Sequence, residues 1–175
     1  MSPRSKKTGG QLIMGVDPGF DRVGVAVING ERGKEKLLYS SCIITSRRDS
    51  HEKRLYAISK EIRRIINELK PEVLAIEKLF FNLNKTNAIK VAEGRGAILS
   101  LAGEFGIDVF EYSPQEIKLG ITGYGKASKN DIEFIIGKTM DLDIKKEKRL
   151  DDEFDAIAVA VTHSLRKGSI HYPHK

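Results

Sequence analysis

The chain has 175 residues, 40% of them hydrophobic and 31% charged, a balance that fits one water-soluble globular domain and excludes a disordered or fibrous chain. Its 30 Lys and Arg exceed its 24 Asp and Glu for a formal net charge of +6, which favours a polyanionic partner. No apolar run approaches the roughly 20 residues of a membrane span, the N-terminus lacks the apolar stretch of a signal peptide, and the single Cys42 excludes an internal disulfide or a cysteine-rich zinc site; no membrane association and a cytoplasmic location are expected.

Residues 1–10 are basic, small and polar without periodicity, and read as a disordered extension. Stretches 12–16, 23–28 and 37–45 are β-rich and separated by the turn signals Asp17-Pro18-Gly19 and Asn29-Gly30, so three consecutive antiparallel strands are expected, with Cys42 buried in the third. Leu55, Ile58, Ile62, Ile65, Ile66 and Leu69 then recur at helical spacing and Pro71 closes the segment.

A strand over 73–77, a helix over about 85–105, a strand near 107–112 and a short helix opened by Ser113-Pro114 follow. Ser128 with Asp131 forms a capping-box pattern ahead of Ile132, Ile135, Ile136 and Met140, and a last helix is expected from about Asp152 to Leu165. The order predicts an α/β fold. Its five-stranded mixed sheet has three antiparallel strands, then two parallel ones, with helices on both faces and no linker dividing the chain.

Four carboxylates border the most apolar segments: Asp17 after 12–16, Glu77 after 73–76, and Asp152 with Asp155 opening 156–161. If the fourth strand lies parallel beside the first, Asp17 and Glu77 emerge at one rim, and Asp152 and Asp155, three apart, share a helix face. Any one of these acids alone also fits a helix cap or a solvated turn. Together, ionised and close, they repel one another unless cations bind between them. An all-oxygen set suits Mg²⁺, or Mn²⁺, better than Zn²⁺. A pair of such ions supports phosphodiester hydrolysis by in-line attack.

Two acid-free stretches supply the opposite charge: 78–90, with Lys78, Lys85, Lys90, Phe80 and Phe81, and 117–130, with Lys118, Lys126 and Lys129. Cations beside aromatic rings match phosphate contact plus base stacking, although both rings fit a core as well. Gly120, Gly123 and Gly125 suggest a loop able to approach phosphates or an ordinary turn. Ala88, Ala92, Gly96 and Ser100 form a small-residue stripe suited to core packing or to a two-fold interface. His163 reads as a packing residue, and His51, His171 and His174 carry no evident chemistry.

The segments 13–19 (IMGVDPG), 75–81 (AIEKLFF), 94–96 (GRG) and 152–160 (DEFDAIAVA) closely resemble the RuvC family of bacterial endonucleases that resolve Holliday junctions, over about residues 11–166 with 167–175 as a tail. The resemblance implies a ribonuclease H-like nuclease domain with Asp17, Glu77, Asp152 and Asp155 as catalytic acids and metal ligands. It also implies two metal ions per site, a homodimer that makes paired symmetric nicks in strands of like polarity during recombination and repair, and a branch-migration motor as partner. Phe80 falls where the family places an aromatic at the junction centre, and Lys118 and Lys129 match its DNA-contacting lysines. Some relatives carry His in place of Asp155, and Glu93 stands where Gln is common.

The same acids would serve a ribonuclease H-like enzyme cutting RNA or RNA-DNA hybrids. A non-catalytic junction-binding protein and an actin-like nucleotide-binding domain are further alternatives, the last disfavoured by a chain too short for two domains.

Overall fold

The computed structural model describes residues 10–79, 85–142 and 149–166. Strands β1 (Gln11–Asp17), β2 (Arg22–Gly30) and β3 (Lys36–Ile44) are followed by helix α1 (His51–Leu69), strand β4 (Val73–Glu77), helix α2 (Lys85–Phe105) and strand β5 (Asp108–Tyr112). Helices α3 (Pro114–Thr122), α4 (Lys129–Met140) and α5 (Asp151–Arg166) complete the order. The five strands form one sheet in the order β3-β2-β1-β4-β5. β1 and β2, and β2 and β3, pair antiparallel, whereas β4 runs parallel to both β1 and β5. This is the ribonuclease H-like mixed sheet expected from the sequence.

Strand side chains alternate between faces, and the two faces carry separate cores. Met14, Val16, Leu74 and Ile76 meet Ile58, Ile62 and Ile65 of α1 and Ile98 of α2. Ile13, Ala26, Ile28, Val73 and Ala75 meet α3, α4 and the apolar body of α5. The odd-numbered positions of β1 and β4 and the even-numbered ones of β2 therefore face α5. Asp17 and Glu77 continue those odd-numbered rows.

Local chemistry ends the elements where it should. Lys70 caps α1 in the left-handed conformation, its N–H donating to the Ile66 carbonyl just before Pro71. Complete capping boxes open α3 at Ser113 with Glu116 and α4 at Ser128 with Asp131. Two expectations are corrected. Asn29-Gly30 is not a turn, because Gly30 pairs with Gln11 and Asn29 with Lys36, and ladder bonding on both sides keeps the dipeptide inside β2. Cys42 is half-buried rather than buried, since β3 is the sheet's edge.

Candidate active site

The parallel register of β1 and β4 sets Val16 beside Ile76, so the next residue of each strand, Asp17 and Glu77, leaves the same rim on the α5 face. Helix α5 brings its first turn against that rim because two strand residues beneath it have no side chain. A Cβ at Gly15 would lie 2.1 Å from the Ala156 carbonyl oxygen, and one at Gly24 only 1.8 Å from that of Asp152. Asp152 and Asp155, one helical turn apart, thereby join Asp17 and Glu77 in one cluster.

The electrostatics of the cluster are those of surplus negative charge. Burial pushes the Asp17 carboxyl up to about 8, with the charges of Glu77, Asp155 and Asp152 adding to the rise. Burial and then Asp155 push Glu77 up to about 7. Asp155 is raised as well, chiefly by burial, although Lys129 opposes it. Asp17, at about 8, favours its protonated form at neutral pH unless a cation binds beside it.

Two basic side chains border the cluster from opposite sides. Lys129 Nζ lies 3.2 Å from Asp155 Oδ2 and 3.5 Å from Asp151 Oδ2. Burial works against its charge, but the two aspartates outweigh burial and raise its pKa. Arg22 Nε lies 3.2 Å from Asp152 Oδ2, an ion pair by distance but out of line for a hydrogen bond, so this buried oxygen has no hydrogen-bond partner among the described residues. Among the described residues no three Asp, Glu, His or Cys side chains are drawn in to metal-ligand distance. An uncommitted buried carboxylate oxygen beside two carboxyls that resist ionisation, with only oxygen donors present, nevertheless fits hard divalent cations.

A cleft of about 220 Å³ opens beside the cluster, lined by Glu77 and Asp155 together with Lys118, Lys129, Ile117 and Ile132. Carboxyl and ammonium groups lining one cleft suit a phosphodiester held by the ammonium groups beside the acids.

The sequence profile described as "Crossover junction endodeoxyribonuclease RuvC" matches residues 13–163. The chain belongs to the RuvC family. The crossover junction endodeoxyribonuclease RuvC of Pseudothermotoga lettingae is 40% identical over 152 residues, covering 87% of this chain and 93% of that protein. That of Moorella thermoacetica is 39% identical over 153 residues, covering 87% and 90%. Thermus thermophilus RuvC in complex with a Holliday junction substrate superposes with a TM-score of 0.84 at 29% identity, over 91% of this chain and 97% of that one. The yeast mitochondrial Holliday junction resolvase Ydc2, at 12% identity and a TM-score of 0.69 over 90% of this chain and 79% of that one, shares the fold. The RuvC family consists of metal-dependent nucleases, so this chain is a hydrolytic endonuclease by membership.

Within this RuvC-family chain the remaining expected residues fall as follows. Lys118 is half-buried on the cleft wall, and Lys126 is exposed before α4. Phe80, Phe81 and the side chain of Lys85 lie outside the described residues, as do most of the N-terminal extension, the tail, His171 and His174. Gly120 packs within α3 against Thr162 and Gly123 is that helix's left-handed C-cap at φ 73°, so the glycine-rich stretch largely belongs to α3. The small-residue stripe of α2 runs from buried Ala88 to exposed Gly96 and Ser100. His163 is a core residue, its Nδ1 2.8 Å from the Tyr112 hydroxyl and its ring against Phe110. Among the described residues no helix is long and apolar enough to cross a membrane.

Sequence reasoning missed the brace behind Asp17. Arg54 of α1, with a side chain only 9% exposed, donates to the Thr45 hydroxyl at 2.9 Å and the Phe20 carbonyl at 3.3 Å, pairs with Asp21, and lies 3.9 Å over the Phe20 ring. The Thr45 hydroxyl donates to the same Phe20 carbonyl at 2.7 Å. His51, read as idle, stacks on Phe20 and lies 2.7 Å from Glu93. The available signal was an Arg on the apolar stripe of α1, one turn ahead of Ile58. Sequence reasoning also passed over Arg22, which lies outside both acid-free stretches.

Proposed function

We propose that this chain is a structure-selective endonuclease that resolves four-way DNA junctions by paired symmetric nicks in strands of like polarity, during recombination and repair in the cytoplasm. The observation that carries the reading is the meeting of Asp17, Glu77, Asp152 and Asp155 at one rim of a RuvC-family fold. The sheet holds Asp17 and Glu77 at fixed separation, and the first turn of α5 presents Asp152 and Asp155 to them. The four acids would hold two Mg²⁺ ions, with Mn²⁺ as a substitute, and bound there the ions would supply activation of the attacking water and stabilisation of the leaving oxygen.

Lys118 and Lys129 hold the phosphodiester on the cleft wall, Lys85 and Lys126 hold flanking phosphates, and Phe80 stacks at the crossover. Two sites at a set separation require a homodimer. The exposed small-residue end of α2 around Gly96 and Ser100 is the surface in support of one. A branch-migration motor that moves the junction completes the assembly.

The test is Mg²⁺-dependent cleavage of a synthetic four-way junction, with linear duplex and RNA-DNA hybrid in parallel and Asp155→Asn as the control. Paired nicks in the junction alone, lost in the variant, are expected. Preferential cutting of the hybrid would instead establish a ribonuclease, and tight junction binding with no cleavage a structural DNA-binding role.

A further inference from the structure

The cations assigned to DNA so far stand on one side of the acid cluster. Lys118 and Lys129 belong to α3 and α4, which follow β5 and pack beside α5. The sheet order places β4 and β5 on that side of β1 and β2 on the other. A strand crossing the rim over Asp17 meets negative charge in the middle and ammonium groups at one end. At its other end it meets Arg22.

Arg22 opens β2 and shares the α5-facing row with Gly24, Ala26 and Ile28. Its Nε is 3.2 Å from Asp152 Oδ2, and its side chain remains 52% exposed. Among the described residues its two terminal amino groups make no hydrogen bond, which leaves their donors uncommitted on a half-exposed side chain. A half-exposed ion pair of this kind adds about 0–1 kcal/mol to stability, too little for a fold-stabilising role to explain the placement. A guanidinium whose charge stands beside a carboxylate while its paired terminal donors remain uncommitted has the donor set for bidentate capture of phosphate oxygens.

We propose that Arg22 grips a backbone phosphate of the DNA strand on the β2 side of the acid cluster, so that with Lys118 and Lys129 it clamps the strand on both flanks of the cut. The inference rests on the junction-nuclease reading and adds to it a specific DNA contact. Asp152 has a second part in this arrangement, since its negative charge keeps the guanidinium beside the cluster.

The experiment measures binding of a fluorescent four-way junction in EDTA over a series of KCl concentrations. It uses the full chain, Arg22→Met and Arg22→Lys, each also in an Asp152→Asn background. Arg22→Met is expected to weaken binding roughly tenfold at low salt and to flatten the plot of log K against log [KCl] by about 0.9, the loss of one phosphate contact. Arg22→Lys recovers the slope but only part of the affinity, because an ammonium cannot make the paired contact. The Met defect persists with Asp152→Asn, where a role confined to orienting Asp152 would vanish. Scanning the junction with single methylphosphonates identifies one linkage whose neutralisation weakens the Arg22 chain but not Arg22→Met.

Unchanged affinity and slope in Arg22→Met, or a defect absent from the Asp152→Asn background, would overturn the proposal. So would a folded Arg22→Lys whose slope is as flat as that of the Met variant. Failure of the full chain itself to prefer the junction over linear duplex would overturn the nuclease reading as well, which keeps the two failures apart.

Discussion

Asp17 and Asp21 stand at the two ends of one turn, and their carboxyl groups are driven in opposite directions. Asp17 is half-buried near Glu77, Asp155 and Asp152 and is pushed up to about 8. Asp21 accepts from Arg54 and Arg47 and is held below the usual carboxylate range. One end of the turn is left with unbalanced charge and the other is balanced twice over. The balanced end fixes the backbone, and the fixed backbone lets the unbalanced end stay where charge alone would push it apart.

Neutralising the unbalanced end gives the largest effect. Asp17→Asn, Glu77→Gln or Asp152→Asn is expected to lower junction cleavage by at least about 10³-fold, the rate equivalent of several kcal/mol of lost charge stabilisation. Junction binding should persist or tighten, because less negative charge faces the phosphates; gel-shift and cleavage assays on the same preparations check both. Disturbing the approach of α5 comes next. Gly24→Ala puts a methyl into the Asp152 carbonyl and is expected to cost roughly 1–3 kcal/mol in urea unfolding, with cleavage reduced even where the variant remains folded.

Breaking the balanced end is milder. Asp21→Asn removes one partner of the buried Arg54, which keeps the Phe20 carbonyl and Thr45, so a loss of about 1–2 kcal/mol is expected at neutral pH. Because the folded carboxyl is depressed, its contribution is present above the ordinary carboxylate pKa and is lost as pH falls through the lowered folded value. The gap between parent and variant should therefore close on acidification. Asp17 has the reverse sign. Its raised folded pKa makes ionisation a cost that grows as pH rises from the unfolded value of about 4 towards 8. In chelator, Asp17→Asn should unfold at a higher temperature than the parent above pH 8 and at nearly the same one near pH 4, as thermal melts would show.

Much of this was legible from residues alone. The helix stop at Pro71, the opening of α3 at Ser113-Pro114, the capping box of Ser128 with Asp131 and the change from strand alternation to helical spacing at α1 are local, and these elements formed where their own chain chemistry placed them. The placement of the four acids at element ends was legible because each borders an apolar segment whose end is marked in the sequence. Asn29-Gly30 misled because a dipeptide that favours turns was overruled by pairing with two neighbouring strands. Cys42 misled because an apolar-looking strand lay at the sheet's edge. Arg54 was marked only by its place on the apolar stripe of α1, and Arg22 by nothing, since a lone arginine is written the same way whether it is solvated or stands at a charged rim.

The sequence by itself determined the element order, the helix stops, the strand alternation that sends Asp17 and Glu77 to one face, and the family to which the chain belongs, because these depend on periodicity and contiguous motifs. Tertiary structure decided that β4 lies beside β1 in the register that makes those two acids neighbours, and that α5 comes close enough over Gly15 and Gly24 to add Asp152 and Asp155. It also decided which cations face the cluster, with Lys129 at one flank and Arg22 at the other. The physical reason is that charge acts through distance in space, and distances between residues far apart in the chain are set by strand register and helix packing.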